Sequence, residues 1–114
     1  MIKSEELMET ITQMIMELRT IYGRMIVEMI LYGSYARGTQ TEESDVDIAI
    51  ILSGKPASSV TEAMINCVAA HELDCGRVLS VIDIDAEKYD KWRDVLPFYR
   101  NIRKERIVLW KAAA

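Results

Sequence analysis

An α/β (α+β) fold, a small mixed sheet of three or four strands with helices packed on it, is what this chain's sequence predicts. Three observations carry the prediction. Leu7, Ile11, Met14, Ile15, Leu18 and Tyr22 recur at helical spacing. The run Met25–Leu31 is apolar almost throughout, as a strand buried on both faces is. Asp45–Leu52 and Arg77–Ile84 are two further strand-like runs separated by a helical stretch. Strand, helix, strand in that order implies a right-handed crossover and parallel pairing.

The elements follow in order. Ser4 can cap the first helix, with Glu5 and Glu6 in its first turn where they complement the dipole. The helix runs to about Tyr22, and Gly23 stops it. Met8, Met14 and Met16 read as core filler. In the first strand Glu28 interrupts the apolar run; it either faces solvent at an edge or lies near the site, and the edge accounts for it better. Ser34–Gly38 reads as a short helical turn, and Thr39–Glu43 as a loop. In the second strand Val46, Ile48, Ile50 and Leu52 share one face, to be buried under helices; Asp45, Asp47, Ala49 and Ile51 share the other. Gly54-Lys55-Pro56 breaks the strand. Ser58 or Ser59 can cap a third helix with the stripe Val60, Ala63, Met64, Cys67 and Val68. His71, the single histidine, falls near its end and reads as a surface residue. Asp85 can cap a helix through about Arg93, Pro97 suits the first turn of another, and Ile107–Trp110 closes the chain as an apolar plug or edge strand.

At 114 residues the chain is expected to form one domain, 1–114. Half of its residues are hydrophobic and 28% charged, as in ordinary soluble proteins. No apolar run approaches the ~20 residues that span a bilayer, and from the polar, acidic start no signal peptide is expected. Cys67 and Cys75 lack redox or ligand spacing and read as reduced thiols, so a cytoplasmic location and no membrane are expected. With no second histidine, zinc chemistry is not expected. Net charge is −4, split between −8 over residues 1–85 and +4 over residues 86–114. A chain acidic overall weighs against nucleic acid as a partner.

The chemistry concentrates at Gly33-Ser34 and, after ten intervening residues, at Asp45-Val46-Asp47. Asp45 and Asp47 project from one strand face, where two like charges repel unless a cation lies between them. Oxygen ligands of this kind suit Mg²⁺, which shares its remaining positions with water and phosphate. Gly33 lets the backbone approach a ligand closely. Ser34 brings a hydroxyl and backbone N–H groups, which favour an anion if a helix starts there. Arg37, one turn on, either leans towards the same phosphate or pairs with an acid of the Thr39–Glu43 loop. Asp is disfavoured inside strands, so two in one half-buried strand need a reason, and joint binding of a metal and a phosphate supplies one.

Gly33-Ser34-Tyr35-Ala36-Arg37-Gly38 followed by Ser44-Asp45-Val46-Asp47 resembles the signature of the DNA polymerase β-type nucleotidyltransferase superfamily, and within it the minimal nucleotidyltransferase (MNT) branch. Leu96–Ile102 is similar to a tail seen in that branch. The resemblance implies a nucleotidyltransferase-like fold, catalytic Asp45 and Asp47 as metal ligands, and Gly33, Ser34 and Arg37 as nucleotide-binding residues. It implies Mg²⁺ as cofactor and ATP or another NTP as substrate. It also implies an antitoxin role, in which AMP is transferred to a hydroxyl of a HEPN-type helical toxin. The superfamily usually adds a third carboxylate on the next strand, and the position where the branch often carries it is Gly76 here. Asp74 is the nearest substitute and would reach in from a loop. Asp83, six residues beyond Arg77, would lie about 20 Å along the strand at ~3.3 Å per residue, at the wrong end. Two readings of different class stand: an enzyme that modifies its partner, and a degenerate module that neutralises it by binding alone. A third, a homodimer that builds its own acceptor site, leaves homo-oligomerisation open.

Overall fold

In the computed structural model, residues 4–113 are described, with the Ser4 side chain outside that set. The expected Ser4 cap and the reading of Met1–Lys3 therefore lie outside the described residues. The first helix, α1, spans Ser4–Tyr22, and Gly23 opens a short 3₁₀ turn at φ +62°. There follow β1 (Ile26–Tyr32), the single turn α2 (Ser34–Arg37), β2 (Val46–Leu52), α3 (Ser58–Cys75), β3 (Leu79–Asp85), α4 (Ala86–Trp92), α5 (Pro97–Glu105) and β4 (Ile107–Lys111). The strands form one mixed sheet in the order β3-β2-β1-β4. β1 pairs antiparallel with both β2 and β4, while β2 and β3 pair parallel across the α3 crossover, as their order in the sequence predicted.

The alternation along β2 has the expected consequence. Val46, Ile48, Ile50 and Leu52 pack under α1 and α3 with Leu18, Met14 and Met64. Ala49 and Ile51 face the other way, where Ile84, Tyr89 and Ile102 cover them from β3, α4 and α5. Helices therefore cover both faces of the sheet. Asp85 accepts the Lys88 N–H at 3.3 Å and caps α4, and Pro97 stands in the first turn of α5. Neither Ser58 nor Ser59 caps α3: the cap position is Ala57, without a side-chain hydrogen bond. No helix of the described residues is long and apolar enough to cross a membrane.

Two expectations about polar residues are corrected. Glu28 is not at an edge. β4 pairs on the far side of β1, making β1 central, and Glu28 is 7% exposed. Its Oε2 lies 3.0 Å from Arg106 Nε, close but too poorly aligned for a hydrogen bond, so Coulomb attraction holds the pair. Arg106→Met should cost about 2 kcal/mol of stability in urea unfolding. That is below the 3–5 kcal/mol of a fully buried pair because Arg106 keeps about a third of its side chain in water. His71 is likewise buried rather than exposed, with its Nε2 bonded to Glu17 of α1. In both cases the partner comes from a distant segment, which local pattern does not reveal.

Candidate functional site

β1 ends at Tyr32, and Gly33 turns the chain with φ +76° and ψ −158°, a backbone region held almost only by glycine. Its carbonyl accepts the N–H groups of Ala36 and Arg37 at 3.0 and 3.1 Å, which winds the single turn of α2. Gly38, left-handed at φ +75°, closes that turn. The loop beyond is also fixed. Thr41 N–H donates to Ser44 Oγ at 2.8 Å, and Ser44 N–H returns to the Thr41 carbonyl at 3.1 Å. Arg77 reaches across and donates to the Glu42 carbonyl at 2.5 Å. Val46 N–H then joins the Val78 carbonyl at 2.9 Å and β2 begins. Asp45 thus stands just ahead of the strand, one residue outside the expected boundary, and Asp47 is its second residue.

The antiparallel register sets Tyr32 opposite Asp47. The Asp47 carboxylate lies directly against the Gly33 backbone: a Cβ added to Gly33 would meet Asp47 Cγ at 3.1 Å and Oδ2 closer still. The glycine–serine corner and the aspartate strand therefore face one another with no hydrocarbon between Gly33 and Asp47. Asp47 is held above the usual carboxylate range, first by burial and then by the charge of Asp45; Arg37 opposes the rise and Glu105 adds to it. Tyr32 is pushed up to about 12 by burial and by the Asp47 charge. Asp45, Asp47 and Glu105 bring more negative charge here than Arg37 neutralises, and a divalent cation fits such a donor set.

Arg37 does not pair with the Thr39–Glu43 loop. It binds Glu105 at the end of α5, Nη1 to Oε2 at 2.5 Å, and the other Glu105 oxygen accepts the Gly33 N–H at 3.1 Å. One carboxylate therefore engages both an arginine and a backbone N–H of the corner. Sequence reasoning missed Glu105 and Arg77. A usable signal existed for Glu105, the single acid between residues 95 and 114.

Asp74 does not reach in from a loop. α3 continues to Cys75, and Asp74 is exposed on its last turn, absent from the charges that act on Asp47. Gly76 caps this helix in the left-handed region at φ +67°, its N–H on the Glu72 carbonyl at 2.9 Å, a conformation that an acid would resist. On β3 the partner of Asp47 is Ser80. Asp83 lies beside Ile50, further along, and accepts the Tyr22 hydroxyl at 2.9 Å, away from the site as expected.

Known proteins resemble this chain in sequence and in fold. In Methanocaldococcus jannaschii, a protein provisionally named a protein adenylyltransferase is 32% identical over 90% of this chain and 96% of its own length. Another of that provisional name and organism is 32% identical over 68% of this chain and 78% of its own. Among solved structures, a toxin–antitoxin complex with AMP-PNP contains a chain of similar fold, with TM-score 0.59 at 17% identity over 89% of this chain and 73% of that one. A Sulfolobus solfataricus protein, provisionally named a nucleotidyltransferase, gives 0.58 at 19% over 90% and 78%. These two likenesses show the fold. The family model described as "Nucleotidyltransferase domain" matches residues 11–109, from α1 into β4, and this chain belongs to that family.

Proposed function

We propose that this chain transfers AMP from ATP to a hydroxyl group of a partner protein, and that the partner is the HEPN-type toxin of a two-component pair acting in the cytoplasm. The observation that carries the reading is the contact of the Asp47 carboxylate with the Gly33 backbone, beside Asp45. The provisional names of the M. jannaschii relatives point to protein as acceptor. The toxin–antitoxin complexes of like fold, one with AMP-PNP and one named MntA-HpeT, point to the pairing.

Asp45 and Asp47 are the residues that would hold Mg²⁺, which when bound neutralises the triphosphate and the departing pyrophosphate. Ser34 and the corner's backbone hold the phosphate tail, with Gly33 admitting it closely. Arg37 carries the positive charge next to them. The acceptor hydroxyl gives up its proton to solvent water and its oxygen bonds to the α-phosphorus as the bond to pyrophosphate breaks in line; the chain's contribution is placement and charge. Asp74 would have to turn inward from the α3 end to act as a third acid.

The binding-only reading is favoured by Ser80 beside Asp47 and by the hold of Glu105 on Arg37 and Gly33. Incubation with Mg²⁺, each NTP and a candidate helical toxin, followed by intact mass of the toxin, separates the two. A gain of one adenylyl group that is lost in Asp47→Asn supports transfer. A stable complex without added mass, unchanged in the variant, supports neutralisation by contact.

A further inference from the structure

Away from the aspartates, α1 and α3 bring together a second set of donor side chains. Cys67 and His71 are four residues apart in α3, so they share one face of that helix. Glu17 meets them from α1: Cys67 Sγ is 3.7 Å from its Oε2, and His71 Nε2 is bonded to the same oxygen. One ligand atom from each of the three lies within 4.8 Å of the other two, and no other described group of three or more His, Cys, Asp and Glu side chains does so. The trio borders an open cavity of about 360 Å³, with Thr20, Ile21 and Ala70 as its other walls.

We propose that Glu17, Cys67 and His71 form a Zn²⁺ site that staples α1 to α3, with water from the cavity as the fourth ligand. The donor set is one sulfur, one nitrogen and one oxygen, suited to a borderline-soft ion and ill-suited to Mg²⁺, which takes oxygen. Metal–ligand bonds of about 2.0–2.3 Å in a tetrahedron set ligand atoms roughly 3.3–3.8 Å apart. The sulfur–carboxylate separation already falls there, and the histidine and carboxylate need only small side-chain rotations to admit the ion. Glu17 is mostly in water and free to make that adjustment. Burial, with the Glu17 carboxylate next to it, pushes the Cys67 thiol up to about 11. Binding therefore exchanges the thiol proton for the metal: the S–H bond breaks, the S–Zn bond forms, and a proton leaves to solvent. Cys67-x-x-x-His71 does have a spacing that puts both side chains on one helix face, against the expectation that Cys67 lacks ligand spacing. The third donor, fifty residues earlier, is not visible in the sequence, and the expectation of no zinc site overlooked it.

Cobalt(II) added to the metal-free chain is the probe. One equivalent should produce a near-ultraviolet thiolate-to-cobalt absorption and the intense visible bands of a tetrahedral ion, both erased by Zn²⁺ and untouched by excess Mg²⁺. Cys67→Ser should abolish the ultraviolet band. Glu17→Gln, at a largely exposed position compatible with folding, should keep the thiolate band but weaken cobalt affinity at least tenfold. Asp47→Asn should leave both intact, which keeps this test independent of the nucleotide reading. Absence of the bands in the wild-type chain, or a thiolate band that survives Cys67→Ser, would overturn the proposal.

Discussion

Gly33→Ala should lose about 2–3 kcal/mol of stability and on the order of 10²-fold in nucleotidyl transfer. The backbone at Gly33 occupies a region that side-chain-bearing residues enter only at a cost of about 1–3 kcal/mol. The added methyl would also overlap the Asp47 carboxylate. Asp47 then has to swing away or the corner has to retreat, and a displacement of about 1 Å at a reacting site costs about a hundredfold in rate. Chemical denaturation gives the first quantity and single-turnover mass spectrometry the second. Gly38→Ala is the internal comparison. Gly38 is also left-handed, but a Cβ there meets nothing within 4 Å, so it should lose some stability while keeping most of the transfer rate.

Asp47→Asn should do the reverse for stability while removing activity. Transfer should fall on the order of 10³-fold, because the amide cannot replace a charged ligand at the triphosphate. Without divalent metal, the variant should nevertheless melt slightly higher than the wild type, by under about 1 kcal/mol, since the carboxylate is only part-buried and solvent screens it. The sign follows from the weakened acidity of Asp47: burial and the Asp45 charge hold its carboxyl above the ordinary range. An acid that holds its proton more tightly when folded makes folding less favourable once pH exceeds its unfolded value of about 3.9. The penalty builds up until the folded carboxyl has ionised and is constant above that. The advantage of the amide is therefore full at neutral pH and vanishes in acid below the unfolded value. Melting curves across that range, in the presence of a chelator, measure it directly.

How much of this was legible in the sequence depends on how local each signal is. The face of β2 could be read because a strand repeats every second residue, and the same alternation separates the core under α1 and α3 from Asp45 and Asp47. Gly33 was legible because a serine and a helical turn follow it directly. What escaped is long-range. Glu28 resembled an edge residue because its partner, Arg106, is far along the chain, and β4 had to be placed beside β1 before the two could meet. His71 resembled a surface residue because nothing near it in sequence announces Glu17. Asp74 was expected in a loop because the end of α3 is set by the backbone of Gly76 rather than by any fading of helical pattern. Arg37 had two local readings, and the one that paired it with a loop acid failed because its ion pair is Glu105, which arrives only when α5 folds over β1.

The central place of β1 has a mechanical consequence. The strand that ends at Gly33 is laddered on both sides, so its amides separate from their partners only when most of the sheet comes apart. Gly33 is thereby anchored to a strand paired on both sides. Glu105, by contrast, belongs to the last turn of a nine-residue helix and grips the corner through a single carboxylate. A ligand that displaces Glu105 would break only these side-chain contacts, whereas moving Asp47 would break the pairing of β2 with β1 and β3.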